Sequence, residues 1–417
     1  MHFIQKNYGV LFFILCSISL LTGFYFNLDV STGGTSSDFQ KTWTYIQSLK
    51  DNLFVMPGSS TAHMPLHYML MSLLNRLIVE PENLRLFFVL LSLLLPLLFN
   101  YCLRIRFTNT SKNKIWLVSS LIFLLPSFRY SAIWANAHIT ALFFFLLSIF
   151  FFLKFKNSNH NKKINKFVLI QLLFMAFAVY ARQYYALFFI FYLYFFLKEM
   201  DFKNFTLTTL YIFLLSIPGW IMIYYNPFYL GDYEVGFFSL KVYNTFLIIP
   251  SILSAYLIPK FTIFAYHNRG FFLENKKILF IIFLASFIIV CFCSYFFNYN
   301  FKLGGGVFLK ASRYFLDNNI LFYISSFIGI SCIFYLCNQH RDNLVIFLII
   351  LFGFSGIFIM QKYFEPMFLF IFFLLLKSDL IDTFFKKNIY IIFVIFYYIF
   401  YYISALLNSF YKFSLSI

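Results

Sequence analysis

Few polar side chains of this 417-residue chain stand where chemistry could be done, and Asp38 is the first of them. It lies about a dozen residues past the first long apolar stretch, where Ser37-Asp38 reads as the start of a helix running to about Leu49. A carboxylate there can cap the helix, or act as a general base that takes the proton of an attacking hydroxyl. Asp29, nearer the apolar stretch, is the backup for the second role. The leading cation is Arg182, next to Gln183 and Tyr184 at the end of another apolar stretch. A guanidinium so placed either snorkels to an interface or stabilises charge building on a leaving phosphate. Arg129, Lys310, Arg313 and Lys362 are further candidates of the same kind. His63 and His67 are four residues apart and could share a helix face as metal ligands. Pro65, however, reads as a helix start between them, and no third ligand is fixed by spacing, so neither metal nor other cofactor is expected. The run Gly304-Gly305-Gly306 lacks the Lys-Ser or Lys-Thr of a nucleotide P-loop and reads as a turn.

The elements that must position these groups are membrane helices. Hydrophobic residues make up 62% of the chain, charged residues 11%, and mean hydropathy is +0.81. Soluble chains carry roughly 25% charged residues, and 67 Phe with 31 Tyr cannot all hide in one water-soluble core. The apolar runs reach the ~20 residues a helix needs to cross a bilayer, and nothing alternates like the strands of a barrel. Spans are expected near 8–26, 84–103, 115–128, 132–153, 167–181, 184–197, 205–225, 242–259, 278–297, 320–337, 344–360, 366–376 and 389–407. The fold class is therefore all-α, a polytopic membrane protein with about 13 transmembrane helices in a single domain over 1–417.

The net charge of +17 follows topology rather than a polyanion-binding surface. Arg104, Arg106, Lys112, Lys114, Lys154, Lys156, Lys162, Lys163, Lys166, Lys276, Lys277, Lys386 and Lys387 fall on one side of the spans, which sets the amino terminus inside. Nucleic acid is excluded as a partner on this reading. The six Cys lie in or beside spans and read as small apolar residues. The longest stretch between spans, 27–83, is expected to hold two amphipathic helices at the outer interface, the second opened by Pro65.

This order of features resembles the GT-C superfamily of glycosyltransferases, which use sugars carried on polyprenyl or dolichyl phosphate. Asp38 matches the acid of their first outer loop, Met64–Leu70 ("MPLHYML") their Pro-Leu-Tyr helix start, and Arg85 the Arg of the second span. In this part the chain is similar to protein O-mannosyltransferases and aminoarabinose transferases. Later fragments resemble the dolichyl-phosphoglucose α-1,2-glucosyltransferases: Tyr180–Phe188 ("YARQYYALF"), Tyr229–Glu234 ("YLGDYE") and Gln361–Met367 ("QKYFEPM"). The chain has one Pro at 65 where the family has two, Lys362 in place of an Arg, and no acid in Trp134–Thr140 ("WANAHIT").

The resemblance implies transfer of a hexose, with inversion, from a polyprenyl-phosphate carrier to a glycan or lipid-linked hydroxyl on the extracytoplasmic or lumenal face. It implies Asp38 as the base, Arg182, Gln183, Lys362 and Arg313 at the donor phosphate, and His63, Pro65, His67, Tyr68 and Asp232 at the substrates. The implied setting is a bacterial inner membrane, with the endoplasmic reticulum as the alternative. Two other readings stay open. A polysaccharide polymerase or ligase would act on similar lipids, and a lipid-linked glycan transporter would carry ionisable residues within its spans.

Overall fold

The computed structural model describes residues 2–29, 31, 34–52, 63–158, 163–225, 241–268, 270, 274–356 and 358–415, with the side chains of 2–6, 303 and 408–415 excepted. All regular structure among them is helical. Eight helices are long and apolar enough to cross a bilayer: Asn7–Tyr25, Pro81–Arg106, Ala137–Lys156, Phe202–Tyr225, Val242–His267, Lys276–Tyr295, Ile320–Gln339 and Asn388–Leu407. A ninth would be the pair Lys112–Leu124 and Pro126–Ile133, bent by 68°. The thirteen expected spans thus reduce to eight or nine by length. Segments expected at 167–181, 184–197, 344–360 and 366–376 form shorter pieces, including the 12-residue helices Phe188–Glu199 and Asp342–Gly353. At 1.5 Å per residue a 12-residue helix covers only ~18 Å of a ~30 Å hydrocarbon layer.

By Cα proximity the chain forms two compact units, Met1–Asp232 with Tyr398–Ile417, and Tyr233–Tyr397. The first holds α1 (His2–Tyr25), α2 (Gly34–Ser48), α3 (Leu66–Asn75), α4 (Pro81–Ser92), α5 (Leu94–Arg106), α6 (Lys112–Ser120), α7 (Pro126–Ile133), α8 (Ala137–Lys156), α9 (Lys166–Ala181), α10 (Phe188–Glu199) and α11 (Phe202–Tyr225). Gly9 lets α1 cross α6 closely, since a Cβ there would come within 2.5 Å of the Asn113 carbonyl oxygen. The bend before α7 has a cause in the sequence. Pro126 supplies no amide, and a 3-10 turn, Leu121–Leu124, precedes it. Arg129 bridges the break. It is 3% exposed, donates to the carbonyls of Phe123 (3.3 Å) and Ser19 (2.5 Å), and lies 4.6 Å from the Tyr402 ring centroid. Arg129 is thereby held by carbonyls and an aromatic face rather than offered to a ligand.

The second unit is organised around α12 (Val242–His267), flanked by α13 (Lys276–Tyr295) and α15 (Ile320–Gln339), with the short helices α14 (Gly306–Leu316), α16 (Asp342–Gly353) and α17 (Asp379–Lys386). Gly329 of α15 meets α12 at Pro250, where an added Cβ would lie 2.0 Å from the Pro250 carbonyl oxygen. Beside this approach Ser251 and Ser325 share a 2.6 Å hydrogen bond, and Ser326 donates to the Leu247 carbonyl at 3.0 Å. Small residues and hydroxyls are what bind helices together when the surroundings are as apolar as the side chains. Pro259 frees the carbonyl of Ala255, and the Tyr397 hydroxyl takes it at 2.7 Å.

Two ionisable groups of this unit are more deeply buried than their sequence positions suggest. Lys260, expected just past a span ending at 259, lies inside α12 at 1% exposure, with Nζ 2.7 Å from the Tyr256 carbonyl oxygen and 5.0 Å from the Phe372 ring centroid. Glu365, expected in an outer loop, is fully buried, and its Oε1 accepts from the Tyr256 hydroxyl (2.5 Å) and the Gln361 amide (3.0 Å).

Candidate functional site

The turn between α7 and α8, Trp134-Ala135-Asn136, meets two buried arginines of the first unit, Arg85 and Arg182. Ala135 sits in the left-handed region at φ 46°, a conformation that costs a non-glycine residue roughly 1–3 kcal/mol and that the surroundings must hold in place. The Asn136 amide donates to the Ser131 carbonyl at 2.8 Å. Its side-chain Oδ1 caps α8 by accepting the His138 amide at 3.0 Å. That same oxygen also accepts from Arg182 Nη2 at 2.9 Å.

Arg182 ends α9, its own amide donating to the Ala178 carbonyl at 2.8 Å, and the chain then turns into the short 3-10 helix Gln183–Leu187. Its guanidinium is 3% exposed, and its second terminal nitrogen, Nη1, donates to a His63 ring nitrogen. His63 must therefore present an unprotonated nitrogen to it. Among the described residues no carboxylate lies within ion-pair distance of Arg182, and its Nε has no hydrogen-bond partner. The fully buried Tyr185 hydroxyl nearby in sequence has none either. The C-terminal end of α9 offsets part of the charge, since a helix end carries only ~0.5 of an elementary charge. What remains is a desolvated cation beside the positive end of α8, the condition under which an anion is bound.

Arg85 shows what a satisfied guanidinium in the same unit looks like. It is 1% exposed, bidentate to Glu82 (2.9 and 2.8 Å), bonded to Asn27 Oδ1 (3.0 Å) and the Ile133 carbonyl (3.1 Å), and 3.7 Å from the Trp134 ring centroid. Arg85 fixes the Trp134 turn with its charge paired to Glu82.

The histidines take distinct partners. His67, 2% exposed on α3, pairs its Nδ1 with Thr140 Oγ1 at 2.8 Å, and the Ala135 carbonyl bonds the ring as well. Burial, and after it the Arg182 charge, hold its pKa down to about 3. The His138 ring lies 3.1 Å from the Tyr184 hydroxyl. Among the described residues no three His, Cys, Asp or Glu side chains converge on a metal position. Tyr68 and Pro65 are buried where α3 begins, the Tyr68 ring 5.4 Å from that of Tyr45 on α2.

Asp38 does not start its helix. α2 begins at Gly34, and its first amides are taken by Ser31 Oγ, which accepts Thr35 N at 2.8 Å, and Asp29 Oδ2, which accepts Ser36 N at 2.8 Å. The capping chemistry expected of Ser37-Asp38 thus belongs to Asp29 and Ser31, which leaves Asp38 exposed on the first turns of α2. The adjacent Phe39 is buried, with its ring 6.4 Å from that of Trp134. Asp38 and Arg182 therefore belong to the same end of the first unit, linked through the Trp134–Asn136 turn.

Gln183 opens the 3-10 turn after Arg182. Lys362 and Arg313 belong to the second unit and are half-buried. There Gln361 Oε1 accepts the Val307 amide at 2.9 Å, which ties the turn carrying Lys362 to the helix carrying Lys310 and Arg313. Asp232 lies outside the described residues. Sequence reasoning passed over Asn136. The only signal was the Asn at a helix start in "WANAHIT", directly after a strained Ala that no sequence pattern marks.

The class these features define, among the described residues, is a helical chain with eight helices long and apolar enough to cross a membrane and a buried arginine, Arg182, in its first unit. Comparison with family models, with curated proteins and with solved structures finds no match to it.

Proposed function

We propose that this chain is a membrane glycosyltransferase that moves a hexose from a polyprenyl-phosphate carrier to an acceptor hydroxyl. The observation that carries the reading is Arg182: a guanidinium 3% exposed, without a carboxylate among the described residues, next to the N-terminus of α8. A phosphate monoester or diester is the anion whose oxygens suit that fork and helix end together. In this mechanism Asp38 takes the acceptor proton, the acceptor oxygen bonds to the anomeric carbon, and the carbon–oxygen bond to the phosphate breaks. The lipid phosphate leaves with the electron pair, its charge held by Arg182, and a single displacement inverts the sugar carbon. The exposure of Asp38 suits a base that must meet a substrate, and the engagement of Asp29 in capping α2 makes Asp29 the poorer choice.

The test is binding of radiolabelled polyprenyl-phosphate hexose to purified protein. Arg182→Gln is expected to weaken it at least about tenfold, the loss of one charge-assisted pair. Unchanged donor affinity would reduce Arg182 to a structural cation. A transporter of lipid-linked glycan is the second reading, favoured by Lys260 within α12. It predicts movement of the lipid across vesicles with no new glycosidic bond.

A further inference from the structure

The second unit carries an open groove of about 260 Å³ whose wall is formed by α12, α13 and α15, with Phe264, Leu279, Phe283, Phe327, Cys332 and Tyr335 among its lining. These residues come from the last turns of α12, the first turns of α13 and the middle to last turns of α15, so the groove extends toward the end of the unit where α12 finishes and α13 begins. In a bilayer, apolar burial does not by itself favour one lipid over another, because any chain can fill such a groove and restore the dispersion contacts an empty one forfeits. Selectivity has to come from the head group.

At this end exposed basic and aromatic side chains gather, with the exposed Glu274 just before α13. Lys276 and Lys277 open α13 within one turn of the groove residue Leu279, both exposed and neither in an ion pair among the described residues. His340 and Arg341, exposed, follow the end of α15, and Tyr266, 63% exposed, stands in the last turn of α12. Lysines at a helix start beside an apolar channel, with an amphipathic ring in the last turn of the preceding helix, form an arrangement that suits an acidic phospholipid head group.

We propose that the second unit binds an anionic glycerophospholipid, one acyl chain in this groove and the phosphate at Lys276 and Lys277. The groove and the lysines belong to one unit and do not depend on the transferase reading.

All four tryptophans, Trp43, Trp116, Trp134 and Trp220, lie in the first unit, so Phe327→Trp places a reporter in the groove. The full chain carrying it would be reconstituted in phosphatidylcholine vesicles doped with dibrominated phosphatidylglycerol or dibrominated phosphatidylcholine, and the emission of the parent chain subtracted. The anionic lipid should quench the added indole with about thirtyfold higher relative affinity, the scale set by two juxtamembrane lysines, and Lys276→Gln with Lys277→Gln should bring the two lipids level. Equal quenching by both lipids in the lysine-bearing chain overturns the proposal. Native mass spectrometry of the otherwise unaltered chain gives a second measurement that needs no tryptophan. Phosphatidylglycerol should stay bound after detergent exchange and be shed by the double lysine variant, and equal retention by both proteins overturns the proposal as well.

Discussion

Arg182 and the N-terminus of α8 share a single acceptor, Asn136 Oδ1, which takes the guanidinium at 2.9 Å and the His138 amide at 3.0 Å. One oxygen thereby fixes where α9 ends relative to where α8 begins, and holds a buried cation against a helix dipole of the same sign.

Asn136→Asp tests that relationship directly. Asp caps a helix as well as Asn does, so α8 should keep its start. It would also hand Arg182 the carboxylate that no described residue supplies. The expected outcome is an unchanged or slightly raised Tm in detergent, with phosphate-donor binding weakened at least about tenfold because the anion must now compete with an internal partner. Asn136→Leu should instead cost about 1 kcal/mol of cap stability and lower Tm.

Asp38→Asn separates the proposed base from the proposed donor site. Asp38 is exposed and the amides at the start of α2 are held by Asp29 and Ser31, so the variant should fold and bind donor normally. Transfer measured under single-turnover conditions should fall by about 10²–10⁴-fold, the usual contribution of a positioned base. Normal turnover would mean that another group takes the proton.

His67 gives a pH dependence with a defined sign. Its folded pKa of about 3 lies below the ordinary 6.5, so in the window between them the unfolded chain binds the proton and the folded chain does not. The stability this ring contributes is present above about pH 6.5 and is lost as pH falls toward 3, at up to about 1.4 kcal/mol per pH unit. Chemical denaturation between pH 7 and 5 should show that slope, and His67→Gln should flatten it. Because the Arg182 charge is the second cause of the depression, Arg182→Gln should shift the ring's titration upward.

Gly329→Val probes the second unit alone. Its Cβ would meet the Pro250 carbonyl oxygen at 2.0 Å, which neither helix backbone can absorb without moving. Overpacking of this kind costs about 1–3 kcal/mol, so thermal unfolding should begin earlier, while donor binding at Arg182 is unaffected. An unchanged melting profile would show that the crossing of α12 and α15 is more pliable than its serine bonds suggest.

Several features could be read without any coordinates. The helical class, the apolar spans and the cationic candidate at the end of α9 follow from composition, run length and the position of Arg182. These are properties of a stretch of chain and its solvent, and local sequence is enough to state them. The lengths of the shorter helices were not legible in this way. Pro126 marks a break in the sequence, but whether apolar residues such as 344–360 continue as one helix depends on what packs around them.

Tertiary structure alone decided which charged groups are spent and which are available. Arg85, Arg129 and Arg182 are all arginines near span ends in the sequence. Carbonyls from distant residues and the rings of Trp134 and Tyr402 occupy the first two, while Arg182 meets, among the described residues, an amide oxygen and an imidazole ring. The same holds for Asp29 and Asp38, where a shift of a few residues in the start of α2 gives the cap to Asp29 and leaves Asp38 exposed. A side chain's type sets what it can bind, but its unspent capacity depends on neighbours brought from elsewhere in the chain, and that is a property of the packed structure.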